Sequence, residues 1–400
     1  MSHPHFSQRT AWDRSDNRLS ELLQEVRREG RQLVDLTESN PTRCAIADTT
    51  QLLALLGHPR GTSYTPHALG VSSARLAVAQ FFRDRGLPAD PERVFLSAST
   101  SEAYAWIFKL LCENGDRVMI PAPSYPLFDY LARLENVEID RYPLLRDEAW
   151  RIDFAALEQS IVQAAGRARA IVLVHPNNPT GSFVRRDDAN QLSALATRYD
   201  LALVVDEVFA EYAHGVLPDN RLPSFSLEHR ALTFVMAGLS KSLLLPQCKV
   251  GFTLVCGPDE LVQEALARIE VIADTYLSVS TPAQLALPEL LAARHEIQAA
   301  ARARIAANLA LLDSAISNAG ALAAVRRLPT DGSWYAILEV ARTRDEDAWV
   351  ELLVREHGVI VHPGYFFEMD RDGFLVVSLL LESSKFGPAI ESVIRAVAHG

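Results

Sequence analysis

The chain has 400 residues, 48% of them apolar, and a formal net charge of −11. That length suffices for one large domain plus a smaller one, and the negative charge argues against nucleic acid as a partner. No apolar run approaches the roughly 20 residues that span a bilayer, and the polar start MSHPHFSQRTAWDRSDNR lacks an apolar secretory core, so a cytoplasmic location is expected.

In chain order, NRLSELLQEVRRE (17–29) carries apolar residues at helical spacing and ends at Gly30. QLVDL (32–36) reads as a strand and TESNPTR (37–43) as a loop. The middle of the chain then alternates. RVFLSA precedes helical SEAYAWIFKLLC, RVMIPA precedes YPLFDYLARLE, and RAIVLVHP precedes RRDDANQLSALATRY, before LALVVD, ALTFVMAG and KVGFTLVCG. These short runs are continuously apolar and rich in Val, Leu and Ile. They suit strands buried on both faces of a mostly parallel sheet flanked by helices. From about 290 to 318 one long helical pattern is expected. GSWYAILEV, GVIVHPG and FLVVSLLL are then strands around helical DAWVELLVREH. The expected division is a large α/β domain over 48–290 and a small α+β domain built from 15–47 and 291–400. Cys44, Cys112, Cys248 and Cys256 show neither C-x-x-C spacing nor paired histidines, so reduced, mostly buried thiols are expected rather than a zinc site or disulfides.

Polar groups fall just past strand ends: Ser99, Thr100 and Ser101 after RVFLSA, Asn178 in HPNNPTG, Asp206 at the end of LALVVD, and Lys241 after ALTFVMAG. Ligands of open α/β sheets bind outside the carboxyl ends of strands. Four such groups at one edge point to a single site, against the plainer reading of separate loops with ordinary turn chemistry. Lys241 stands out further, because the chain has four lysines against 35 arginines. Arginine cannot form an imine, whereas a lysine amine can. A phosphorylated aldehyde with a basic ring nitrogen would use every piece: lysine for a Schiff base, aspartate for the ring nitrogen, hydroxyls and helix-start N–H groups for the phosphate. That compound is pyridoxal phosphate (PLP).

With these residues in place, nearly the whole chain resembles the fold-type I PLP enzymes of the class I/II aminotransferase family. HPNNPTG resembles the loop whose asparagine, here Asn178, meets the cofactor's phenolic oxygen. VVDEVF resembles the strand with the ring-nitrogen aspartate, here Asp206, and LSKSLLLPQCKVG the segment with the cofactor-bearing lysine, here Lys241. SASTSEAY resembles the phosphate loop, and PAPSYPLF the segment whose tyrosine, here Tyr125, stacks on the pyridine. The resemblance also implies that Ser240 and Lys249 meet the phosphate, Lys249 standing where the family usually has arginine. It implies that Tyr64 in SYTPHALGVSSAR reaches the phosphate of a neighbouring subunit, hence a homodimer with shared sites. EGRQLVDLTESNP resembles the entry strand that closes over substrate, making Asn40 and Arg43 candidates for substrate binding.

Two departures matter. The family usually has a tyrosine, donating to the phenolic oxygen, where this chain has Phe209; Tyr212 is the nearby alternative. The family's carboxylate-binding arginine falls at Val376 in FLVVSLLL, and valine cannot make that bidentate pair. Arg43, or Arg371 by way of a bulge, is the replacement to look for. Trp334 and Tyr335 read mainly as small-domain core, with some chance of lining the substrate pocket, and His175 as structural. The expected activity is transfer of an amino group from an amino acid or amine to a 2-oxo acid. A PLP lyase, cyclase or oxidase is the alternative that the missing arginine raises. A PLP-binding regulator is disfavoured, since some 45 residues before the large domain are too few for a DNA-binding module.

Overall fold

The structure is a computed structural model that describes residues 5–15, 17–320 and 324–399. Among these, the strands are β1 (Val34–Asp35), β2 (Val94–Ser97), β3 (Arg117–Ala122), β4 (Glu138–Leu145), β5 (Arg151–Ile152), β6 (Ala168–Val174), β7 (Ala202–Asp206), β8 (Thr233–Gly238), β9 (Gly251–Cys256), β10 (Val325–Arg327), β11 (Tyr335–Val340), β12 (Val359–Ile360), β13 (His362–Pro363) and β14 (Phe374–Ser378). Eight of them form one sheet in the order β2-β9-β8-β7-β6-β3-β4-β5. Its centre, β4-β3-β6-β7-β8, is parallel, while the β8/β9, β9/β2 and β4/β5 pairs are antiparallel, so the sheet is mixed. Every residue of β2, β7, β8 and β9 is buried. This is the physical meaning of the unbroken apolar runs: helices cover both faces, and no strand residue is left to face water.

The register places the functional loops together. Val174 pairs with Asp206, Asp206 with Met236, Gly238 with Gly251, and Gly251 with Ser97. The carboxyl ends of β2, β6, β7 and β8 therefore lie along one edge, next to the start of antiparallel β9.

A second core gathers Leu22, Val26 and Leu36 with residues from Ile297 to Val397. It contains the antiparallel sheet β10-β11-β14-β13 and the parallel pair β1/β12. The helices Arg294–Ala319 and Ser383–His399 pack against each other beside it. Four elements differ from expectation. The long helix starts at Arg294, after a separate helix Thr281–Ala292. The strands β4, β5 and β10 were not expected. In β4 the residues Glu138, Asp140 and Arg141 interrupt any apolar run, and Pro143 lies within it; this strand sits near the sheet edge, where one polar face is tolerated.

The loop Gly364–Phe367 ties this second region to the large sheet. Ser124 N–H donates to the Phe367 carbonyl at 3.1 Å, and Arg141 pairs with Glu368. The loop is held in turn by the buried Glu346 carboxylate, which accepts from the N–H groups of Tyr365 (2.8 Å), Gly373 (3.1 Å) and Phe374 (2.8 Å). Glu346→Ala, which orphans three buried donors, should destabilise the protein by about 2–4 kcal/mol. Thermal denaturation should show the loss of Tm, with Glu356→Ala as a solvent-exposed control. An unchanged Tm would contradict this role.

Candidate active site

Ser99 caps the helix Thr100–Leu111: its Oγ accepts from Glu102 N–H at 3.1 Å. Ser99, Thr100 and Ser101 are half-buried at this helix start, where free N–H groups and the helix dipole favour an anion. Gly251 keeps the neighbouring strand close, because a Cβ there would lie 2.8 Å from the Ser99 carbonyl carbon and 3.0 Å from Thr100 N.

Asp206 ends β7. Its Oδ1 accepts from Val208 N–H at 3.0 Å, and the Thr100 hydroxyl is a second donor. Burial pushes its carboxyl up to about 6, while those donors and the Lys241 charge pull the other way. Lys241 lies in the short helix Leu239–Ser242 that follows β8. Its Nζ stands 4.8 Å from the centre of the Trp334 ring and 5.6 Å from that of Phe209. Burial lowers its amine to about 8, against the opposing pull of Asp206. Both shifts have one cause: each charge has lost water, and only its partner's charge compensates. Tyr212 is buried and its hydroxyl donates to the Lys241 carbonyl at 2.6 Å. It fixes the lysine's backbone, so the alternative of Tyr212 as a donor to the cofactor falls away.

Asn178 is buried, and its Oδ1 has no hydrogen-bond partner. The Tyr104 hydroxyl, one turn into the helix that Ser99 caps, is also buried without a partner, close enough to Asp206 for that charge to raise its pKa, though burial is the larger cause. Tyr125 is 39% exposed, packs edge-on against Phe128 at 6.2 Å and feels the Asp206 charge. His175 is a structural residue: Nδ1 accepts from Val184 N–H (3.2 Å) and Nε2 donates to the Leu222 carbonyl (2.9 Å). Burial lowers its pKa to about 3, so the ring stays neutral. Glu207 turns away from Asp206 to accept from Phe225 N–H at 2.7 Å.

The structure therefore brings Thr100, Asp206 and Lys241 into mutual reach and places Ser99, Ser101 and Asn178 along the same edge. Ser240 is half-buried and makes no side-chain hydrogen bond among the described residues. Lys249 is exposed, in a left-handed conformation at φ 49°, and meets no partner among the described residues. Tyr64 is 72% exposed. Asn40 caps its own turn, accepting from Thr42 N–H at 3.1 Å. Arg43 is exposed, 3.5 Å from Glu38. Arg371 pairs with Glu339 and lies over the Phe374 ring at 5.0 Å, so the bulge that would free it is absent. Val376 is fully buried, opposite Ile337 and His362. Cross-strand partners share a face, and that face carries Tyr335, whose ring lies 6.5 Å from Phe209. Val376 thus faces the Lys241 side, and its cross-strand partners there, Ile337 and His362, include no arginine or lysine. Tyr104 and Trp334 are the residues that sequence reasoning undervalued; an aromatic in an apolar run reads as core until its long-range neighbours are known.

Three comparisons bear on this geometry. The sequence model of the family "Aminotransferase class I and II" matches residues 31–392. Nicotianamine aminotransferase 1 of Oryza sativa is 29% identical over 231 residues, 56% of this chain and 45% of that protein. An S-alkyl-thiohydroximate lyase of Arabidopsis thaliana is 28% identical over 253 residues, 62% of this chain and 53% of that protein. The chain spans about half the length of these curated relatives. The solved alanine aminotransferase of Pyrococcus furiosus superposes with a TM-score of 0.86 over 99% of this chain and 100% of that one; at 20% identity, this shows a shared fold.

In the cofactor-free protein, the rate at which a small amine-reactive reagent modifies Lys241, read by peptide mass spectrometry, should rise with pH around a midpoint near 8. Below the midpoint the amine is ammonium and inert; above it the free base reacts. Asp206→Asn removes the charge that raises the lysine's pKa and should move the midpoint lower. A midpoint near the ordinary lysine value of about 10.4, unmoved by Asp206→Asn, would contradict the coupling.

Proposed function

Since the chain belongs to the aminotransferase class I and II family, we propose that it is a PLP-dependent aminotransferase that moves an amino group from an amino acid or amine to a 2-oxo acid. The observation that carries this reading is Lys241, a half-buried amine lowered to about 8 and facing Asp206 at the carboxyl edge of the sheet. PLP is the cofactor of this family, and the residues fit it. A phosphate needs a helix start with free donors, and Ser99, Thr100 and Ser101 lie at one. A basic ring nitrogen needs a deep carboxylate, and Asp206 is one. A polar ring substituent needs a buried polar group at this edge, and the Asn178 amide is one.

Bound here, PLP would supply an aldehyde that condenses with amines and a protonated ring that draws electrons from the substrate's α-carbon. The chain's residues do the rest. Asp206 keeps the ring nitrogen's proton in place, itself held by Val208 N–H and Thr100. With the cofactor bound, Lys241 Nζ would take the proton from the substrate α-carbon, and burial, which lowers its amine, favours the free base that this needs. Tyr212, anchored on the Lys241 carbonyl, sets the origin of that side chain. The Trp334 and Phe209 rings exclude water from around Nζ. Ser240 and Lys249 would serve as further phosphate contacts, Tyr125 would contact the ring, and Asn40 and Arg43 would bind substrate.

Tyr64, largely exposed, suits a contact with a second copy of the chain. A homodimer with shared sites is therefore part of the proposal, with an interface above about 2,000 Å². The four unpaired cysteines suit a reducing compartment such as the cytoplasm. A lyase on the same scaffold is the second reading, supported by the name of the Arabidopsis relative and by Val376, which removes the usual carboxylate clamp. The same valine argues for an amino donor that presents no α-carboxylate at this strand.

The yellow PLP-loaded protein should lose its absorbance when mixed with a single suitable amino donor and no acceptor, and regain it when a 2-oxo acid is added. Release of ammonia without bleaching would favour the lyase. Aspartate and glutamate should be poor donors beside an amine that lacks an α-carboxylate, because loss of a bidentate charge pair costs a few kcal/mol, about a hundredfold or more in kcat/KM. Efficient turnover of either would overturn the specificity claim.

A further inference from the structure

A guanidinium and two carboxylates meet at the turn that carries the lysine's neighbours. Arg85, just past the helix Ser72–Arg83, lies 4.0 Å from Glu207 and 4.0 Å from Glu211. The Glu207 side chain is fully buried, and those of Arg85 and Glu211 are mostly so. Arg85 Nη1, Glu207 Oε2 and Glu211 Oε1 are each buried without a hydrogen-bond partner among the described residues. Charges taken out of water normally pair and hydrogen-bond. Here one cation serves two anions, at equal distance from both. The guanidinium is itself seated over the rings of Phe81 (5.6 Å) and Phe82 (6.0 Å). Those rings pack against Phe252 of β9 at 5.3 and 6.4 Å, so the large sheet sets the place of the cation.

Glu207 and Glu211 bracket the part of the chain that surrounds the lysine. Asp206 precedes the first and Tyr212 follows the second. Between them lie Val208, whose N–H holds Asp206, and Phe209, whose ring centre is 5.6 Å from Lys241 Nζ. Glu207 has a further anchor in Phe225 N–H, whereas Arg85 is the only ion-pair partner of Glu211 among the described residues. We propose that Arg85 is a positioning residue for the reaction: by holding both carboxylates it fixes the turn 207–212, and so keeps the Tyr212 hydroxyl on the Lys241 carbonyl and Nζ buried. The inference rests on the reading of Lys241 as the reacting amine. Other charged or titratable groups surround the three. Arg294 and Arg302 of the long helix act on Glu211, Cys256 of β9 feels Glu207, and His175 past β6 feels Arg85. Burial raises the Glu207 carboxyl to about 7 and raises that of Glu211, and Arg85 opposes both shifts.

The pH midpoint of Lys241 modification in the cofactor-free protein reads that burial directly. Arg85→Met keeps an unbranched side chain over Phe81 and Phe82 and removes the charge. Its midpoint should rise by about one unit, a tenfold change in the free-base equilibrium, because an amine released towards water regains its ordinary basicity. Glu211→Met removes the other half of the pair and should raise the midpoint too. The sign separates position from field: a deleted negative charge acting through its field alone would lower an amine's pKa. In Tyr212→Phe, where the link to the Lys241 carbonyl is already gone, Arg85→Met should add little further shift. Arg85→Lys, which restores the charge, should return the midpoint towards the wild-type value. Should Arg85→Met not fold, the sign of the Glu211→Met shift decides. A variant that loses Tm while its midpoint stays in place assigns Arg85 to packing and overturns the proposal. A lower midpoint in Glu211→Met, or a full further shift from Arg85→Met in the Tyr212→Phe background, overturns it equally. The measurement needs no cofactor, so its outcome is distinct from that of PLP uptake, on which the cofactor reading stands.

Discussion

Taking an amine and a carboxylate out of water at one place is the constraint on which the rest of the structure depends. Unpaired burial would drive Lys241 and Asp206 to neutrality. Each is held partly charged by the other, and Asp206 also by Val208 N–H and Thr100. The result is an amine lowered to about 8 beside an acid raised to about 6. A lysine on the surface would be locked as ammonium, and an exposed aspartate would hold a ring proton poorly.

That pair exists only because the sheet delivers it. Parallel β6, β7 and β8 end side by side, and the chain leaves each through a loop at the same edge. Antiparallel β9 returns there, and its Gly251 lets the helix start at Thr100 approach closely. The second core closes the site from the other side. Trp334 meets Lys241, Tyr335 meets Phe209, and the Phe367 carbonyl meets Ser124 N–H. The environment of the lysine thus joins Asp206 at the sheet edge to the rings of the second core.

Most of this was legible in the sequence where residue type and position are chemically unusual. Asp206 and Lys241 interrupt apolar runs at strand ends, and a lysine in an arginine-rich chain needs a reason. The buried strands showed themselves as short Val- and Leu-rich stretches. β4 did not, because a strand near a sheet edge alternates and tolerates Pro143. Tyr104 and Trp334 were hidden for the opposite reason: their neighbours come from distant segments, and an aromatic among apolar residues carries no local mark of chemistry. The surface positions of Lys249 and Tyr64 follow from backbone geometry that one sequence does not contain.

The central claim is that Lys241 carries the cofactor. Its most direct test is borohydride reduction of the PLP-loaded protein, followed by peptide mass mapping. The account predicts one stable phosphopyridoxyl adduct, on the peptide containing Lys241, and none in Lys241→Ala. An adduct on Lys249, Lys109 or Lys385 in place of Lys241 would contradict it.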